Sequence, residues 1–149
     1  MAILTNLAVG LPVMLLCLLI QATAVFWGVR HYIGYASRDA GGDAVRVGFR
    51  PLALAMTLMT VGNLVQITLW GALFVWLGEF SALYDAVYHS GVNFTSLGYG
   101  DIVMSQRWKL LGPLEAVNGI LMLGMSGAAL MAMLQHTIKR QLASEGSAR

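Results

Sequence analysis

The sequence predicts an all-α membrane protein with three membrane-spanning helices and, between the second and third, a short helix that enters the membrane without crossing it. Three observations predict this class. Only 11% of the 149 residues are charged while 58% are hydrophobic, with a mean hydropathy of +0.71, and a soluble domain of that size could not cover its surface with so few charges. The apolar residues gather into three blocks, each as long as the roughly 20 residues a helix needs to cross a bilayer core. A fourth apolar block is too short to cross and leads into a Gly-x-Gly string. The net charge of +2 is small and no Lys/Arg run forms a basic stripe, which excludes nucleic acid as a partner and leaves membrane lipid.

The first helix is assigned to residues 1–27, because Ile3 to Trp27 contains no charged residue. A cleaved secretory signal would need a basic stretch before its apolar core, whereas the first basic residue is Arg30. Cys17, the only cysteine, lies inside this run as a lipid-facing or packing residue, so no disulfide within the chain is possible. Residues 28–50 read as a polar loop bearing Arg30, His31, Arg38, Asp39, Gly41, Gly42, Asp43, Arg46 and Arg50. The second span, 51–78, opens on Pro51, whose missing N–H suits a first helical turn. It closes at Gly78-Glu79.

The third span is assigned to 110–135. Trp108 and Lys109 mark an interface, Gly112-Pro113 opens or kinks the helix, and Leu114 to Leu134 is apolar apart from Glu115 and Asn118. A short polar tail, 136–149, follows. Arg30, Arg38, Arg46, Arg50, Lys139, Arg140 and Arg149 fall on one side of a three-span chain, and only Arg107 and Lys109 on the other. Basic loops resist translocation, so the 28–50 loop and the tail are expected in the cytoplasm and the N-terminus outside, in a cell membrane of the bacterial inner-membrane kind.

Between spans two and three, Ala82, Leu83, Ala86, Val87, Gly91, Val92 and Phe94 form a short amphipathic helix, assigned to 81–95, which is too brief to cross. After it comes Thr95-Ser96-Leu97-Gly98-Tyr99-Gly100-Asp101. Irregular backbone at membrane depth is tolerated only where protein buries it or where it lines a watery cavity.

This string resembles the selectivity filter of the potassium-channel pore-domain family, whose usual form is Thr-Val-Gly-Tyr-Gly, often followed by Asp. The likeness extends over 51–135 in the order outer helix, pore helix, filter (96–101), inner helix; the first 50 residues lie outside it. It implies a homotetramer, since one chain carries one filter strand and four close a ring. It implies passive potassium conduction, with K+ held at Ser96, Leu97, Gly98 and Tyr99 and passing Gly100, and no organic cofactor. An entering ion sheds its water only if stacked oxygens replace it, and Gly98 and Gly100 allow the φ > 0 backbone that aims successive carbonyls to one side. Ser96 stands where Thr is usual and keeps a hydroxyl; Leu97 stands for Val or Ile and its side chain points away from the axis.

The same resemblance gives Thr95, Asp101, Tyr88 and His89 supporting roles: His89 bracing Tyr99, and Tyr88 reaching Asp101. The Glu that some members carry in the pore helix is replaced by Val92. Glycine often hinges the inner helix of such channels, which makes Gly119 and Gly124 hinge candidates; small residues equally let helices pack closely. Ile120, Leu123 and Gly127 would line an apolar cavity. Glu115, the only acid inside a span, either faces the back of the pore helix with Asn118 or snorkels to outside water. His89 is read as an uncharged, satisfied histidine or as a proton sensor.

His31 and His136 are expected in headgroup water, and the four tryptophans, Trp27, Trp70, Trp76 and Trp108, near span ends or lipid faces. The nine methionines read as packing residues. No catalytic or phosphate-loop motif is present, so no enzymatic activity is expected. Span one has no arginine to act as a voltage sensor. Two other functions are compatible with the pattern: a weakly selective cation channel, and a non-conducting membrane partner subunit.

Overall fold

The computed structural model describes residues 2–38 and 44–147, which form four α-helices: α1 (Ala2–Arg38), α2 (Ala44–Trp76), α3 (Leu83–Phe94) and α4 (Leu111–Ser147). Three of them are long and apolar enough to cross a membrane, over Ala2–Tyr35, Phe49–Trp76 and Leu111–Ala143. The protein is an all-α, multi-pass membrane protein.

The helices outrun their apolar cores. The expected loop at 28–50 is helical over 28–38 and 44–50, and the expected polar tail continues α4 to Ser147. Charge marks where a chain leaves lipid, not where its helix stops, and no proline interrupts 28–38 or 136–147. The loop residues Asp39, Gly41, Gly42 and Asp43, and Arg149 of the tail, lie outside the described residues. Pro51 consequently sits inside α2 rather than in its first turn. Pro113 does occupy the first turn of α4, where its missing N–H removes no intrahelical bond.

The chain packs as two units. One comprises Met1–Ile20 with Asn63–Leu123, the other Gln21–Gly62 with Gly124–Arg149. In the first, Cys17, Trp70, Phe74, Ala86, Phe94, Leu111 and Met122 are buried together with the polar Gln66, Ser90, Glu115 and Asn118. Burial of Trp70 and Trp108 corrects the expectation of a uniform interfacial belt; only Trp27 and Trp76 are exposed. Cys17 is likewise a packing residue, not a lipid-facing one.

The second unit has a core of Tyr32, Ala55, Met59 and Met133, flanked by Val25, Val29, Leu52, Ala129 and Leu130. Two polar contacts tie α1 to α4 in it. Gln21 Nε2 donates to Ser126 Oγ at 2.6 Å, and the Tyr32 hydroxyl lies within 3.0 Å of Met133 O and His136 Nδ1 and 2.8 Å from Thr137 Oγ1. His136, expected in headgroup water, has a partner on α1, its ring edge-on to Tyr32 at 5.7 Å.

Candidate functional site

Helix α3 is short, opens on an extended Ala82 without a side-chain cap, and has Asp85 in its first turn, where a carboxylate favours the helix dipole. Its buried face, Ala86, His89, Ser90, Val92 and Phe94, packs within the first unit. Two close approaches fix it there. A Cβ at Gly71 of α2 would come within 3.0 Å of the Val87 backbone, and one at Gly119 of α4 would lie 1.9 Å from Phe94 O. Only glycine fits between α4 and the last turn of α3.

The chain leaving α3 is folded back under it by bonds from Ser96 N to Asn93 O (2.8 Å) and from Leu97 N and Gly98 N to Val92 O (3.0 and 3.4 Å). From there φ alternates in sign: Ser96 (+60°), Gly98 (+60°) and Gly100 (+72°) are positive, while Leu97 and Tyr99 between them are not. Ser96 takes this conformation without glycine's freedom, at a cost on the order of 1–2 kcal/mol. Sequence reasoning had singled out only the glycines, since nothing in a serine's identity announces a left-handed backbone.

Residues Thr95 to Gly100 are exposed in the protomer, as are Ile120, Leu123, Gly124 and Gly127 on α4. Among the described residues no backbone N–H donates to a carbonyl of 96–100. Thr95 Oγ1 donates back to Gly91 O at 2.6 Å, so this side chain caps α3.

Support comes from three sides. The Tyr88 hydroxyl donates to Asp101 Oδ2 at 2.7 Å, and Asp101 Oδ1 accepts from Ile102 N at 3.0 Å. The Tyr88 bond holds the Asp101 carboxyl below the usual carboxylate range, and the same bond raises the Tyr88 phenol.

His89 does not brace Tyr99 within the chain. Its Nδ1 faces Ile102 O at 3.0 Å and its Nε2 faces Asn93 Nδ2 at 3.0 Å, with Phe74 and Phe80 against the ring. It lies on the buried face of α3, while Tyr99 is 65% exposed. A carbonyl opposite Nδ1 and an amide donor opposite Nε2 match the neutral tautomer protonated at Nδ1, and burial lowers the histidine's pKa.

Glu115 is fully buried behind α3. Its Oε1 is hydrogen-bonded to Ser90 Oγ, whose hydroxyl is shared with Ile67 O at 2.7 Å, and its Oε2 accepts from Asn93 Nδ2 at 3.3 Å. Asn93 thereby joins Glu115 to His89, and His89 joins Ile102 beside Asp101. Asn118, expected to share this network, does not join it: among the described residues neither amide atom meets a nitrogen or oxygen partner, and its polar neighbour is the Cys17 thiol. Spacing i, i+3 puts two residues on one helix face but does not bring their polar ends together. Outside the network, Glu79 accepts from Ser105 N (2.6 Å) and Ser105 Oγ (2.7 Å), tying the two ends of the stretch. Ser90 and Glu79 were not singled out in the sequence, because an isolated serine or acid carries no pattern.

Gly124 has nothing within 4 Å of a Cβ, unlike Gly119. Among the described residues no cluster of three His, Cys, Asp or Glu side chains could hold a metal. A protein-family model described as "Ion channel" matches residues 63–136. No curated protein and no solved structure matches the chain.

Proposed function

From the premise that this chain belongs, through residues 63–136, to an ion-channel family, we propose that it conducts potassium selectively as a homotetramer. The observation that carries this reading is the alternating backbone at Ser96, Gly98 and Gly100 within a Gly-Tyr-Gly string. Carbonyls at membrane depth need a polar partner, and in a protomer that leaves 95–100 exposed, that partner is an ion on an axis shared with other copies.

Four strands around one axis stack rings of oxygens from Ser96, Leu97, Gly98 and Tyr99, with the Ser96 hydroxyls innermost. Such rings replace the hydration shell of K+. Ions move passively, down their electrochemical gradient, and no organic cofactor takes part. The Tyr88–Asp101 bond and the Glu115–Asn93–His89 chain hold the strand from behind. Gly119 serves close packing and Gly124 is the hinge of α4. The Arg107 side faces outward and the Lys139 side the cytoplasm.

Liposomes loaded with the purified protein test this directly. Potassium uptake with sodium uptake at background supports the reading. Equal uptake of both ions makes the protein a weakly selective cation channel, and no uptake of either makes it a non-conducting subunit.

A further inference from the structure

Helix α1 lies outside 63–136, the residues matched to the ion-channel family. Within the second unit one of its faces is covered: Gln21, Ala24, Gly28 and Tyr32, spaced by three or four residues, are all buried. A Cβ at Gly28 would lie 3.3 Å from the Ala55 side chain, so α1 fits closely against α2 there. Tyr32 packs with Ala55 and Met59 of α2 and with Met133 of α4.

The polar groups on this face reach one stretch of α4. Gln21 Nε2 donates to Ser126 Oγ at 2.6 Å, and both side chains are buried. Three turns further along α1, the Tyr32 hydroxyl donates to Met133 O at 3.0 Å and lies 2.8 Å from Thr137 Oγ1 and 3.0 Å from His136 Nδ1. Ser126, Met133 and Thr137 share a helix face, at spacings of seven and four residues.

The opposite face of that stretch is bare in the protomer. Gly124, Gly127 and Met131 are exposed, and a Cβ at either glycine would meet nothing within 4 Å. This part of α4 is therefore bonded on one side and uncovered on the other. It begins at Gly124, where the second unit begins on this helix, and glycine is the weakest helix former after proline.

We propose that α1 is a latch on α4: Gln21 and the Tyr32 hydroxyl hold the part of α4 beyond Gly124 on the side of α1, away from its uncovered face, and this is the conducting arrangement. The inference rests on the reading of the protein as a channel whose copies meet across that uncovered face. With the latch released, the helix bends at Gly124 toward the other copies and narrows the path.

The test joins hydrogen exchange to single-channel recording on the purified assembly. Its variants are Y32F, which keeps the ring and loses only the hydroxyl, and Q21L, which keeps the bulk of Gln21 and loses its amide. Each should raise amide exchange over residues 126–137 of α4 and leave 111–122 at the wild-type rate. In planar bilayers each should lower the ratio of open to closed time by at least about threefold, the average worth of one hydrogen bond between membrane helices. Unitary conductance and reversal potential should stay at wild-type values, because the filter is untouched. Wild-type exchange over 126–137 in both variants, or an open probability that is unchanged or raised, overturns the proposal. A wild type that passes no current overturns the channel reading and with it the gating role, while exchange over 126–137 still decides whether the latch exists.

Discussion

Three positive φ values in five residues, at Ser96, Gly98 and Gly100, put the chemistry of this protein into its backbone. Gly98→Ala adds a Cβ in a left-handed conformation, at about 1–2 kcal/mol per chain. We expect the variant to insert into membranes and lose selective potassium flux; wild-type flux would remove the strand from the conduction path. Behind it, Glu115 receives bonds from Ser90 and Asn93. Glu115→Ala removes one partner each from Ser90, which keeps Ile67 O, and from Asn93, which keeps His89 Nε2, at about 0.5–1.5 kcal/mol per bond, and should lower the assembly's thermal midpoint and its selectivity. Glu115→Gln keeps the shape, accepts from Asn93 and donates to Ser90, so it should lose less. Identical midpoints for both variants would deny the brace. The Tyr88–Asp101 contact predicts a pH dependence. Asp101's folded pKa is depressed, so its contribution is present above the unfolded carboxylate value and lost as pH falls through the folded one. The Tyr88 phenol is raised, so its contribution is present below the unfolded phenol value and lost as pH rises through the folded one. Sustained current should therefore fall in acid below the ordinary carboxylate range in the wild type and show no such step in Tyr88→Phe; an identical acid step in both assigns it to another group. Glu115 could be picked from the sequence because a carboxylate inside a span demands a partner. Ser90 and the left-handed Ser96 could not, because their roles are set by what packs against them.

Helix by helix, the apolar blocks located the spans, and the helices overran them. A bilayer dictates where charge begins; hydrogen bonding within the helix is indifferent to it, which is why 28–38 and 136–147 stay helical. The two hinge candidates also separate at this scale. Sequence gives Gly119 and Gly124 the same meaning, but Gly119 presses on Phe94 O while Gly124 faces open space. Gly119→Ala must push α4 off the end of α3, and overpacking of this kind costs about 1–3 kcal/mol; its thermal midpoint should fall and its filter lose selectivity. Gly124→Ala should leave the midpoint within error and change the open probability instead. The reverse assignment of those two phenotypes would make Gly119 the hinge. Within the second unit, the bonds of Gln21 and Tyr32 tie α1 to α4 at Ser126, Met133 and Thr137, all beyond Gly124.

One chain is an incomplete object. Its irregular segment 95–100 is exposed, and Ile120, Leu123, Gly124 and Gly127 of α4 are exposed as well. On the proposed reading, closing those faces against other copies of the same chain gives the cyclic assembly through which ions pass. The motif could be read from the sequence because a Gly-Tyr-Gly string after a half-length helix leaves few structural alternatives at membrane depth. The network behind it needed coordinates, since Ser90 and Asn93 of α3 meet Glu115 of α4, and separately Glu79 before α3 meets Ser105 before α4. The central claim is that a ring of these backbones passes potassium and rejects sodium. The most direct measurement is the reversal potential of the purified protein in a planar bilayer, with potassium chloride on one side and an equal concentration of sodium chloride on the other. A potential displaced strongly toward the potassium equilibrium value, and abolished as a current in Gly98→Ala, is the predicted result. A reversal potential near zero in an active wild-type channel would contradict it.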